Sequence, residues 1–324
     1  MIPSGKPSIE RMILGNLPLL GISYQGREKD EAYKEKFSDK LEMKRVMRVA
    51  IQYGVSLFAA SSHGFNELAP THLKAIQELE EEEETELSLI TCISVPLELR
   101  GRKIDDYRRW KTHLDYELME FGTEVRERFF EDPILNCRPQ WKENLRLAKP
   151  YRAKDMERHL SIDWGVWEES VDSLSDHRIA WVEPGSETDF LAVSRMDLLE
   201  ELLDRIHELG YRSMLGSHHL GATGQLIEER KVKRFDGYVT PVNRLGVMMF
   251  PTQMVAENAI ERIRKTERLV VAIKPFAGGR MKPMGALNYV YRAMKADSCM
   301  MGAGSVEEAE EDFKAARAIL EMEP

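Results

Sequence analysis

Short apolar runs rich in β-branched residues alternate with stretches of 3.6-residue apolar periodicity along most of the chain. The run LVVAIKP at 269–275 is the clearest of them, and others lie at 211–217, 237–242 and 298–301. Between these runs the pattern predicts helices at 220–233, 255–265 and 284–295. A further helix opening near Ser194 puts Leu199, Leu202, Leu203 and Ile206 on one face and stops at Gly210. The last helix starts from an S-x-x-E capping box formed by Ser305 and Glu308. Val306, Ala309, Phe313, Ala316 and Leu320 then follow at spacings of three and four. The first half predicts strands within 14–23 and at 55–60, 87–95 and 179–183, with helices at 41–52, 68–79 and 154–174. Strands separated by helices imply parallel pairing, because a parallel crossover needs a helix. Eight such strands predict an α/β fold, a (β/α)8 barrel in which 1–324 form one unit. Residues 97–152 interrupt the rhythm with charged and aromatic sequence, including Trp110 and Trp141. They read as a mostly helical insertion after strand three, either a lid facing the substrate or an elaboration packed on the barrel's flank.

The 43% apolar share suffices for a core of that size, and the net charge of -9 argues against binding nucleic acid, which needs clustered Lys and Arg. Cys92, Cys137 and Cys299 include no CxxC pair, so neither a disulfide framework nor a structural zinc site is expected. No window approaches 18 apolar residues, and the first residues lack an apolar signal-peptide core. The expected setting is therefore cytoplasmic, with no membrane partner and a small molecule as ligand. Oligomeric state is not legible.

KPFAGGR at 274–280 and MMGAGSVEEAEEDFKAA at 300–316 resemble segments of the aldo-keto reductase family, at its strand seven and at its strand and helix eight. GYVTPVNRL at 237–245, YRSMLGSHH at 211–219 and AIQYGVSLFAASSHG at 50–64 are similar to the family's strands six, five and two. The resemblance implies a barrel of aldo-keto-reductase type in which hydride passes between NADP and a carbonyl, with a Tyr donating the proton beside an Asp, a Lys and a His. Aligned residue by residue, the Asp falls on Ala59, the Tyr on His63, the Lys on Cys92 or Ile93, and the His on Glu183, so none of the four is retained. His63 is then the candidate replacement acid, since an imidazole titrates near neutrality. The cofactor positions implied by the resemblance are Ser217, Asn243, Gly278, Gly279, Arg280, Gly302, Gly304 and Ser305. The glycines permit close backbone approach, and Ser305 opens a helix N-terminus that suits an anion.

Polar residues at predicted strand ends make the other candidates, because barrel chemistry sits there. The catalytic set is His63, Glu183, His218 and Lys274. His63 and Glu183 with His218 or His219 have the side chains of a three-ligand metal site, although no HxH or HExxH spacing occurs. Lys274 is either a Schiff-base amine or the partner of Glu183 or of a ligand carboxylate. Cys92 is either a nucleophile or a buried thiol. Three functions stay open: an oxidoreductase with an altered site, a non-redox barrel for a small polar or anionic ligand with metal-assisted hydrolysis or elimination among its options, and a non-catalytic interaction protein.

Overall fold

A computed structural model describes residues 5–322. Eight parallel strands form the barrel: β1 (Met12–Gly15), β2 (Leu57–Ser61), β3 (Ser88–Cys92), β4 (Ile179–Glu183), β5 (Leu215–Gly216), β6 (Gly237–Pro241), β7 (Leu269–Ile273) and β8 (Ser298–Gly302). Their order in the sheet is β4-β3-β2-β1-β8-β7-β6-β5. A parallel bridge between Val182 and Ser213 joins the two ends, with Val182 N–H donating to Arg212 O at 2.8 Å and Met214 N–H to Val182 O at 3.0 Å. The chain is therefore a (β/α)8 barrel, as the alternation of runs predicts. Side chains alternate along a strand, and one set turns inward. Ile13, Leu57, Ala59, Ile90, Trp181, Met214, Val239, Leu269 and Val271 fill the interior. The opposite set packs against the surrounding helices.

Four expectations need correction, the first being strand one, which forms at Met12–Gly15 and so ends where most of the expected span of 14–23 begins. The stretch 154–174 is not one helix. Leu160–Ile162 forms a short strand with burial alternating at period two, and Asp163 starts a new helix by accepting a hydrogen bond from Val166 N–H. This strand pairs antiparallel with Leu97–Leu99, so a two-stranded ribbon clasps the base of the insertion. Strand five is shorter than its apolar run, with only Leu215–Gly216 in the ladder before the chain turns away at Ser217. The capping box at the last helix forms in a shifted sense: Ser305 Oγ accepts from Glu308 N–H, while the Glu308 carboxylate takes Gly304 N–H instead of that of Ser305.

The insertion is mainly helical, through Asp106–Phe121, Glu124–Glu131 and Trp141–Leu147. Trp110, Leu114, Phe129, Leu135 and Trp141 build a second apolar core together with Val247, Met248 and Phe250 after β6 and Ala277 after β7. The Phe129 and Phe250 rings stack at 4.4 Å. The insertion thus lies as a cap on the loops at the C-terminal ends of the strands. Asp132, 1% exposed, is its main polar anchor. One carboxylate oxygen accepts from Ile134 and Leu135 N–H, the other from Met248 N–H at 2.7 Å. Asp132→Ala strands three donors, each penalised by about 1–3 kcal/mol when buried and unpaired. The expected loss is about 3 kcal/mol in urea denaturation, with faster proteolytic cleavage inside the cap. An unchanged midpoint would show that the cap is held by its apolar core alone.

Candidate functional site

The interior register continues one step beyond the packed core, and there it becomes polar. Ser61, Cys92 and Glu183 are register partners at the ends of β2, β3 and β4. Each lies two residues beyond an interior side chain (Ala59, Ile90 or Trp181), so all three face the barrel axis at its mouth. Asn16, just after β1, donates to Ser61 Oγ at 3.0 Å. Glu183 is buried and reaches across the mouth to β5, where position 216 has no side chain. A Cβ there would lie 1.7 Å from Glu183 Oε1.

Burial holds the Glu183 carboxyl up at about 7, and the charge of Glu187 pushes the same way. The Cys92 thiol, the Lys274 charge and Gly185 N–H oppose that shift. Burial also pushes Cys92 far above the usual thiol range, with the charge of Glu183 adding to it, so Cys92 serves as a donor to Glu183 and not as a thiolate nucleophile.

Lys274 follows β7 in the left-handed region at φ 54°, a conformation that costs a non-glycine residue about 1–3 kcal/mol and marks functional turns more often than others. Its ammonium lies 3.0 Å from His218 Nε2 and 5.0 Å above the Tyr24 ring. An ammonium can only donate, so Nε2 accepts and the His218 proton sits on Nδ1. Burial first, then the facing Lys274, drives His218 well below the ordinary imidazole range, which keeps it neutral.

The cap roofs this cluster with the stripe Arg109, His113 and Glu117, one helical turn apart on Asp106–Phe121 and all buried. Arg109 pairs with Glu187 and Asp106. Glu117 meets His219 Nδ1 at 2.8 Å, and His113 stacks on the His219 ring at 4.3 Å. Burial pushes Glu117 up, and its carboxylate in turn raises His219, so the pair retains a proton between them. The three residues are spaced i, i+4, i+8 in the sequence, a signal that a purely apolar periodicity search passes over.

Of the expected catalytic set, Glu183, His218 and Lys274 come together. His63 does not join them. Its ring is exposed on the short turn His63–Phe65, its backbone N–H donates to Ser173 Oγ, and its charge acts on His177 in the outer helical layer. His219 turns to Glu117 instead of the mouth. Among the described residues no group of three His, Cys, Asp or Glu side chains is arranged to hold a metal ion, so the ligand set drawn from His63, Glu183 and His218 or His219 does not form.

The residues expected to hold the cofactor do not fit a dinucleotide phosphate. Gly304 N–H is already taken by Glu308 Oε2 at 2.7 Å, and Lys36 Nζ donates to Gly304 O. Tyr33 packs on Gly304 so closely that a Cβ there would lie 2.1 Å from its hydroxyl, and Pro18 occupies the space over Gly302. Ser305 caps its own helix. Gly278 and Gly279 pack against Tyr24 and Gln25, and Arg280 spends its donors on the carbonyls of Tyr24, Ala277, Gly278 and Pro133. Ser217 faces outward and bonds Asp189, while Asn243 closes on the backbone of Val247. The side chains of Ser217, Asn243, Arg280 and Ser305 and the Gly304 N–H are thus already bonded within the protein.

No helix among the described residues is long and apolar enough to cross a membrane. No family model and no curated protein matches the chain. Two crystal structures described as a "putative aldo-keto reductase" from Pseudomonas aeruginosa are similar over 98% of this chain and 95% of theirs, both with a TM-score of 0.53 and with 13% and 12% sequence identity. At that identity the likeness establishes a shared (β/α)8 fold, and the aldo-keto-reductase-like architecture is as far as it reaches.

Proposed function

We propose that this chain is a barrel enzyme that moves a proton on a small carbonyl compound, and that it does so without a nicotinamide cofactor. The observation that carries this reading is the convergence of Glu183, Lys274 and His218 from three strand ends under the cap. As a carboxylate, Glu183 takes a proton from the carbon beside the carbonyl and becomes the carboxylic acid. The C–H electron pair becomes the C=C bond of the enolate and the C=O π pair moves onto the oxygen, where the Lys274 ammonium stabilises the oxyanion. Returning the proton to the former carbonyl carbon, while the proton of the neighbouring hydroxyl passes to the oxyanion, completes an isomerisation with no net redox change. A carboxyl held at about 7 is populated in both forms at neutral pH, which suits a group that must accept and return a proton.

The resemblance favours the other reading, reduction with NADP. It lacks support where the cofactor would lie, because Arg280, Ser305 Oγ and Gly304 N–H already bond within the chain and Pro18 and Tyr33 fill the space over Gly302 and Gly304. The two readings part in one experiment. A panel of small hydroxyaldehydes, hydroxyketones and sugar acids is incubated with the enzyme in D2O, and solvent deuterium at the carbon beside the carbonyl is followed by NMR. At least one member should exchange with the native enzyme, and Glu183→Gln should slow that exchange by 100-fold or more, the range of a lost general base. Exchange that survives in the glutamine variant, or NADPH consumption with these carbonyls, would overturn the proposal.

A further inference from the structure

The geometry points to an oxyanion pocket between His218, Trp110 and Arg138, which takes a carboxylate or phosphoryl group carried by the ligand. It rests on the reading above only for the identity of that ligand as the substrate. Because Lys274 occupies Nε2, the His218 proton is on Nδ1, and this N–H is buried with no partner in the chain. Trp110 Nε1–H is a second buried donor without an acceptor, and its ring lies 6.5 Å from that of His218. Buried donors are almost always paired, so two unpaired donors on neighbouring rings call for an acceptor and not for another donor.

The surrounding charge selects which acceptor. The Arg138 guanidinium lies 5.9 Å from the centre of the Trp110 ring and 5.8 Å from that of Trp141, held by indole faces instead of a carboxylate. Lys274 meets His218 and the Tyr24 ring. The charges of Lys274, Arg138 and Arg109 all act on His218; Arg109 is neutralised by Glu187 and Asp106, and Lys274 also faces Glu183, which leaves Arg138 without a carboxylate among the described ion pairs. Arg138, a cation resting on aromatic faces beside two unpaired N–H donors, offers an unpaired positive charge in a chain of net charge -9. An anionic oxygen there gains charge-assisted hydrogen bonds that a neutral hydroxyl would not. The ligand therefore has two ends, the carbonyl at Glu183 and Lys274, and an acid group beneath the cap.

Calorimetric titration of the full chain with inorganic phosphate, and separately with acetate, tests this and separates the phosphoryl from the carboxylate case. One of the two should bind saturably, and 15N NMR should show the His218 Nδ1 resonance moving with it. Arg138→Gln, an exposed position that leaves the cap core intact, should weaken that binding at least tenfold, and Trp110→Phe should weaken it too. Arg126→Gln, on the cap's outer side, should bind as the native chain does. Glu183→Gln should also bind the anion, so a failed proton-transfer reading and a failed anion pocket give different results. Absence of saturable binding by both anions, or full affinity in Arg138→Gln, would overturn the pocket.

Discussion

Alanine at position 216 is expected to abolish turnover while leaving the barrel folded. The added Cβ would meet Glu183 Oε1 at 1.7 Å, Glu183 Cδ at 2.8 Å and Gly185 O at 2.9 Å. The closest neighbour is the far end of a flexible side chain, so the carboxylate swings away before the strand moves. Once displaced, it loses the Cys92 bond and the burial that holds it at about 7. It then becomes an ordinary carboxylate at the wrong place. Misplacing a catalytic group by about 1 Å can cost 100-fold in rate, and a displacement of this size should match Glu183→Gln, at 100-fold or more. Glu183→Ala supplies the control: in the double variant the clash with the carboxylate is gone and only the approach to Gly185 O remains, so much of the stability lost to Gly216→Ala should be recovered although activity is not. That non-additivity is expected only of residues in contact. A Gly216→Ala enzyme with native activity would remove Glu183 from the mechanism.

The barrel was legible because its strands are buried on both faces and read as continuous apolar runs; LVVAI of β7 and IAWVE of β4 are found where the runs predict. The ribbon Leu97–Leu99 with Leu160–Ile162 was not legible, because three residues at period two are lost inside sequence that otherwise carries helical spacing. At the site, strand-end reasoning brings Glu183, His218 and Lys274 together: Glu183 is the last residue of β4, Lys274 the first after β7, and His218 lies two residues beyond β5 on its inward register. It fails at His63, where two residues beyond β2 the chain has already entered a turn that faces the helices. It fails again for Ser217, Asn243 and Arg280, whose polar groups are consumed by Asp189, Val247 and neighbouring carbonyls. A sequence shows which groups can bond but not which are already bonded. Gly216 carried a signal that can be read in advance, as a glycine inside a strand marks a place where another group approaches closely. The cap's contribution is the part least visible beforehand. Arg109, His113 and Glu117 look like a solvated helix face until the barrel is placed beneath them.

The second large effect concerns stability, at a residue remote from the mouth. Asp312 lies on the closing helix Val306–Glu321 and is 6% exposed. Burial pushes its carboxyl up to about 8, and Glu308 and Glu311 on the same helix add to the shift. Its folded pKa is raised above the unfolded value of about 3.9. Its contribution is therefore complete below that value and is lost as pH rises towards 8, at about 1.4 kcal/mol per pH unit. The buried imidazoles of His72 and His113 work in the opposite direction. Burial lowers His72 to about 3 and takes His113 well below its ordinary range, so their contribution is present above 6.5 and falls away as the solution turns acid. The histidines and Glu183 are the same in the native chain and in an Asp312 variant, so they cancel when the two are compared. Between about pH 6.5 and 8 Asp312 alone should remove about 2 kcal/mol from the native protein. Asparagine has the same shape and no charge at any of these pH values. In urea denaturation the stability advantage of Asp312→Asn over the native chain should thus widen by about 2 kcal/mol from pH 6.5 to 8. If the two chains stay parallel across that window, Asp312 is ionised without penalty, and the last helix is packed more loosely against the barrel than its burial implies.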